Sequence, residues 1–137
     1  EEKKEWKPLA KIPFSPHHAL ARYNPFRKEM LLIAGNDIQT VVSVTAKGKV
    51  TPLKDTPEQM TIRHAKLLVD PVSGLYLMFI GGNLYEFDSA KNQYHKVEGY
   101  KRPFSKYEMP VPAVIPEYGV IMWIDKKVRL YKHKAGG

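Results

Sequence analysis

The chain has 137 residues, 43% of them hydrophobic and 26% charged, which suits one globular domain with a real core and excludes a disordered or collagen-like polymer. It has no cysteine, so disulfides, thiolate metal sites and cysteine nucleophiles are all ruled out. Twenty-two Lys and Arg against fourteen Asp and Glu give +8, but the charges are scattered, and the densest runs, 126–134 and 98–106, read as a solvated strand face and an exposed loop.

The N-terminus, EEKKEWKPL, has no apolar h-region and so does not read as a signal peptide, although a mature chain left by cleavage can begin this way. The longest apolar run, Leu75 to Ile80, falls far short of the ~20 residues a membrane helix needs. Helix periodicity is nearly absent: no window of a dozen residues keeps apolar positions at i, i+3, i+4 and i+7 without a Pro or Gly interrupting, and eleven prolines are spread over the length. Short apolar runs are instead separated by turn residues: Asn24-Pro25, Gly35-Asn36, Lys47-Gly48, Asp70-Pro71, Ser73-Gly74, Gly81-Gly82 and Lys91-Asn92. The expected fold class is all-β.

Taken in order, the runs repeat. Residues 18–35 align with 64–81 without a gap at a constant offset of 46, which sets Asn24-Pro25 on Asp70-Pro71 and Gly35 on Gly81. A third, divergent copy sets Pro116 on Pro71 and Gly119 on Gly74. Each unit divides into a first strand (Ala19–Tyr23, Ala65–Val69, Ala113–Ile115), a second apolar on both faces (Met30–Ala34, Leu75–Ile80, Val120–Ile124), and a third (Val41–Val44, Leu84–Phe87, Val128–Tyr131). A polar fourth strand follows in two units, Lys49–Leu53 and Gln93–Val97, so burial is expected to fall from first strand to last.

A four-stranded antiparallel unit of about 45 residues that grows more polar outward is what a β-propeller blade requires. Trp6-Lys-Pro-Leu9 matches Val50-Thr-Pro-Leu53, so the chain reads as one propeller segment: a fourth strand over 5–10, blades over 18–54 and 64–98, and a partial blade over 111–133. About three blades cannot close a ring of the usual four to eight. The expected partner is therefore a second copy, giving a six-bladed homodimer to which each chain lends its Trp6 strand, or the remainder of a longer propeller.

The unit over 64–97 resembles the kelch repeat of the galactose-oxidase-type propellers. The residues that carry the likeness are His64-Ala65, Asp70-Pro71, the Gly81-Gly82 doublet, Leu84-Tyr85-Glu86-Phe87-Asp88 and Tyr94, with Trp6 at the place of the family's fourth-strand tryptophan. The first unit keeps only Gly35 of the doublet, and the third has Asp125-Lys126 there. The family includes enzymes, lectin-like modules and protein-binding scaffolds, so the likeness implies an architecture. Its copper cofactor needs a tyrosine crosslinked to cysteine, which this chain cannot form. The run 115–124 with 128–133 is similar to the ends of exported bacterial kelch-type proteins, which implies a secreted or periplasmic location.

The physical role expected of the Gly81-Gly82 doublet is to supply positive φ and allow close approach of the next blade. Ligands are expected on the face where one blade crosses to the next. There the crossovers carry His17, Arg63, Tyr100, Lys101, Arg102 and Tyr107, a cationic and aromatic rim suited to an acidic glycan, with Arg on the carboxylate and Tyr on the ring. Phe14 and Phe104, each in a Pro-Phe-Ser triplet, are expected to plug the gaps between blades. The five histidines lack carboxylates at matching spacing, and no nucleophile triad, phosphate loop or paired carboxylates stand out, so neither a metal nor another cofactor is expected. Nucleic acid is disfavoured because the aromatics are committed to packing. The functional expectation is a non-catalytic binding or scaffold module that contacts a glycan or protein. The alternative is the C-terminal half of a larger secreted glycan-active propeller enzyme whose catalytic residues lie outside this chain.

Overall fold

The computed structural model describes residues 4–35, 39–60, 64–104 and 110–136. Among these residues every regular element is a β-strand except one 3₁₀ turn, Pro116–Tyr118. The first sheet contains β1 (Leu20–Asn24), β2 (Glu29–Ile33), β3 (Val41–Thr45) and β4 (Val50–Leu53). The second contains β5 (Ala65–Val69), β6 (Tyr76–Ile80), β7 (Asn83–Asp88) and β8 (Gln93–Lys96). The third contains β9 (Val111–Ile115), β10 (Val120–Ile124) and β11 (Val128–Tyr131). In each sheet the strands lie in chain order and pair antiparallel, as the blades of a propeller do.

The second sheet lies between the other two and is buried on both faces. One core joins it to the first sheet, with Leu31, Ile33 and Val41 meeting Leu67, Tyr76, Met78 and Phe87. The other joins it to the third, with Leu68, Leu77, Phe79 and Leu84 meeting Ile121 and Trp123. Strict alternation along β6 sends Tyr76, Met78 and Ile80 to one core and Leu77 and Phe79 to the other, which is why that strand is apolar at every position. In the second sheet burial peaks in its second strand, β6, and in the first sheet it peaks in the third, β3. The first strand β1 is largely exposed, against the expectation that burial falls from first strand to last, because it forms the inner edge of an unclosed arc.

The repeat is visible in detail. Asn24 and Asp70 are both buried and close matching Asx turns, Asn24 accepting from the Phe26 and Arg27 amides and Asp70 from the Ser73 amide at 2.9 Å. The following turn residue covers the next sheet: Phe26 lies against Gly74, and Val72 against Gly119. Lys28, Gly74 and Gly119 occupy one repeat position, and all three have positive φ, at 54°, 73° and 63°. The first two sheets are further joined by Asn24 Nδ2 donating to the Gly74 carbonyl at 2.8 Å, Arg22 Nε donating to the Leu67 carbonyl at 2.9 Å, and an Arg27–Asp88 ion pair at 3.0 Å.

Residues 5–10, expected as a fourth strand, have no ladder partner among the described residues. One contact at their end has a counterpart beside a fourth strand. Leu9 lies against Gly48 at the end of the β3–β4 hairpin, just as Lys54, which follows β4, lies against Asn92 at the end of the β7–β8 hairpin. The Gly doublet departs from expectation. Gly81 has a φ of 56°, but a side chain at either glycine would meet nothing within 4 Å, so close approach of a blade is not what they provide.

Candidate functional site

The crossover from second to third sheet builds a cleft. After β8, the Val97 amide still donates to the Leu84 carbonyl at 2.9 Å, and the chain then turns at Gly99, whose φ is 72°. That turn drops Tyr100 onto Phe79, ring centres 5.8 Å apart and edge to face. Phe79 meets Trp123 at 4.9 Å and Tyr131 at 5.8 Å in the same manner, and Phe104 reaches Trp123 from the far side at 5.5 Å. The alternation of β6, β10 and β11 aims Phe79, Trp123 and Tyr131 into one space, so the aromatic cluster follows directly from the pleat. Phe104 plugs the gap between blades as expected, packed against the second core.

Above this floor lies a cavity of about 440 Å³, lined also by Val97, Glu98, Lys101, Pro103, Arg129 and Leu130. Its rim is mainly cationic. Lys101 is exposed. Arg102 half-covers the Phe104 ring, its guanidinium carbon 5.0 Å from the ring centre, and donates to the Gly81 carbonyl at 3.3 Å. Arg129 is fixed by a two-pronged pair with Asp125, at 2.8 and 2.6 Å. The Lys127 amide donating to Asp125, reinforced by Arg129 and outweighing partial desolvation, holds that carboxyl below the usual range.

Two hydroxyls beside the cavity stay neutral at physiological pH. Burial pushes Tyr100 up to about 12, outweighing the opposing effect of Arg102. Burial also pushes Tyr131 up to about 12, helped by Tyr100 and the carboxylates of Asp70 and Glu86. Beneath them is a buried polar network in which His133 Nε2 donates to Glu86 Oε1 at 2.6 Å and His133 Nδ1 is hydrogen-bonded to the Tyr131 hydroxyl at 2.8 Å. The Gly136 amide donates to the same Glu86 oxygen at 2.9 Å, so Glu86 in the middle of β7 ties down the segment after β11.

Of the residues expected on the ligand face, Tyr100 and Lys101 line this cleft and Arg102 adjoins it. His17 does not take part. It stacks on His18 at 3.9 Å beside Gly35, where the chain enters β1. Arg63 and Tyr107 lie outside the described residues. Phe79, Trp123, Arg129 and Tyr131 were missed as site residues because their sequence positions read as core and solvated strand. The strand ends that bring them to the crossover could have suggested them. Among the described residues no group of three or more His, Asp or Glu is placed to hold a metal ion, and no helix is long and apolar enough to cross a membrane. No family model, curated protein or solved structure matches the chain.

Proposed function

We propose that the chain is a non-catalytic binding module, built of kelch-like blades, that holds an acidic glycan in the cleft between its second and third sheets. One observation carries this reading: the half-buried rings of Tyr100 and Phe104, the latter backed by the buried Trp123, line the same cleft as Lys101 and Arg129. Aromatic faces accept the apolar face of a sugar ring, while a cation at the rim pairs with its carboxylate. The neutral Tyr100 hydroxyl, kept so by burial, can donate to a ring oxygen. The cleft is large enough for one or two sugar residues, in the range of small-ligand sites.

The test is calorimetric titration of the chain with a uronate-containing oligosaccharide and with its neutral counterpart. Lys101→Glu reverses an exposed rim charge without touching the floor, so it should weaken uronate binding at least tenfold, the scale of one charge-assisted hydrogen bond. Equal affinity for charged and neutral sugars, or an affinity indifferent to Lys101→Glu, would remove the acidic-glycan reading. Secretion or a periplasmic location belongs to the same proposal.

A further inference from the structure

The repeat allows each face of the third sheet to be compared with its counterparts. The positions that face the following blade are Leu31, Ile33, Val41 and Ser43 in the first sheet, and Leu77, Phe79, Leu84 and Glu86 in the second, all no more than 6% exposed. The same positions in the third sheet include Ile124, Val128 and Leu130, which are 41%, 62% and 65% exposed. At the other end of the stack, Tyr23 in the first sheet is 53% exposed, whereas its counterpart Val69 is 7% exposed. The two end faces are thus apolar surfaces that the fold covers wherever a next blade exists. Over the outward face of the first sheet, Leu9 and Ile12 with Tyr23, Met30, Leu32 and Val44 leave a cavity of about 430 Å³.

Two further observations indicate what fills it. The cap that joins successive blades is Phe26 over Gly74 and then Val72 over Gly119, so the next member of the series is Glu117 over Lys28. Those are opposite charges. Moreover, among the described residues β11 has a free edge and 5–9 lies unpaired, with Trp6 fully exposed. In the second sheet Tyr94 of the fourth strand stands opposite Phe87 and stacks on it at 4.3 Å. Tyr131 is the counterpart of Phe87, since each stands opposite the matching residue of the second strand.

We infer that two copies of this chain close head to tail into a six-bladed ring. The bare face of the third sheet in each copy seats on the outward face of the first sheet in the other. Residues 5–9 of each add to β11 of the other as its missing fourth strand, Trp6 stacks on Tyr131 and so closes the β11 side of the cleft, leaving the side of Tyr100 and Lys101 open, and Glu117 pairs with Lys28 across both junctions. The contact joins two different faces, and it closes rather than running on into a fibre because three blades span half of a six-bladed ring, so that two copies complete the turn.

Sedimentation equilibrium of the chain should give twice 15.7 kDa. Glu117→Lys and Lys28→Glu are both at exposed turn positions, so circular dichroism should be unchanged while each variant alone sets like charges at both junctions and dimerises at least tenfold more weakly. An equimolar mixture of the two variants restores an attractive pair at both junctions and should recover the parent affinity as a heterodimer. Trp6→Ala, which removes the strand's anchor, should also shift the equilibrium toward monomer. A monomer at every concentration, a larger assembly, or a dimer whose mixed charge variants associate no better than each alone would overturn the inference.

Discussion

At the scale of the residue, buried polar groups decide how the blades are joined. Asn24 satisfies two amides of its own turn and one carbonyl of the second sheet, with no exposed surface. Asn24→Ala leaves those groups without partners and should cost about 1–3 kcal/mol, read as a lower urea midpoint. Asp70 stands at the same repeat position but has no N–H to donate, and its Oδ1 has no hydrogen-bond partner among the described residues. Asp70→Asn offers that missing donor to the first turn of the third sheet, as Asn24 does to Gly74. It should raise stability by about 1 kcal/mol, and a midpoint at or below that of the parent chain would contradict the assignment. Glu86 is a third case. Glu86→Ala should free the segment around His133 and Gly136, with a loss of about 1–3 kcal/mol for buried donors left without an acceptor, and protease sensitivity after β11 would report it.

At the scale of the element, hairpins and turns show why glycines are not equally important. Gly74 has a φ of 73°, and a Cβ there would come within 2.7 Å of the Phe26 ring, so Gly74→Ala combines backbone strain with a clash. Gly82 faces open space, and Gly82→Ala should change the denaturation midpoint very little. Their order of effect is the reverse of what the Gly-Gly doublet suggests from sequence. The doublet was legible because it stands out by eye, whereas the close contact at Gly74 is made by a residue 48 positions away in another blade and leaves no local mark. Strand positions, by contrast, were read almost to the residue. Val120–Ile124, Val128–Tyr131 and Ala65–Val69 stand as expected, since the alternation of side chains is a local consequence of the pleat.

At the scale of the whole molecule, the interfaces between sheets are rich in tyrosine. Burial raises Tyr100 and Tyr131 to about 12, and a hydrogen bond to Glu58 together with burial raises Tyr85 to about 12. Burial also raises Tyr76 and Tyr94, with added repulsion from Glu29 and Asp55 respectively. A folded pKa above the unfolded value of 10.0 favours the neutral, protonated form. The stability these groups contribute is therefore fully present below pH 10 and is lost as pH rises through about 12. Tyrosinate absorbance at 295 nm should accordingly rise late and together with the loss of β-sheet circular dichroism. Half-ionisation of these tyrosines near pH 10 in the folded chain would count against the packing described.

By itself the sequence determined the all-β class, the three repeats, the turn positions and the crossover that borders the cleft. Those features follow from side-chain alternation and turn chemistry, which act over a few residues. Only the tertiary structure decided that Tyr100 and Lys101 meet Phe79, Trp123 and Arg129 in one cleft while His17 lies elsewhere. It alone showed that Leu9 rests against Gly48 at the end of the β3–β4 hairpin. The physical reason is that these relations depend on how one sheet stacks on the next, and stacking brings together residues that no short-range pattern connects.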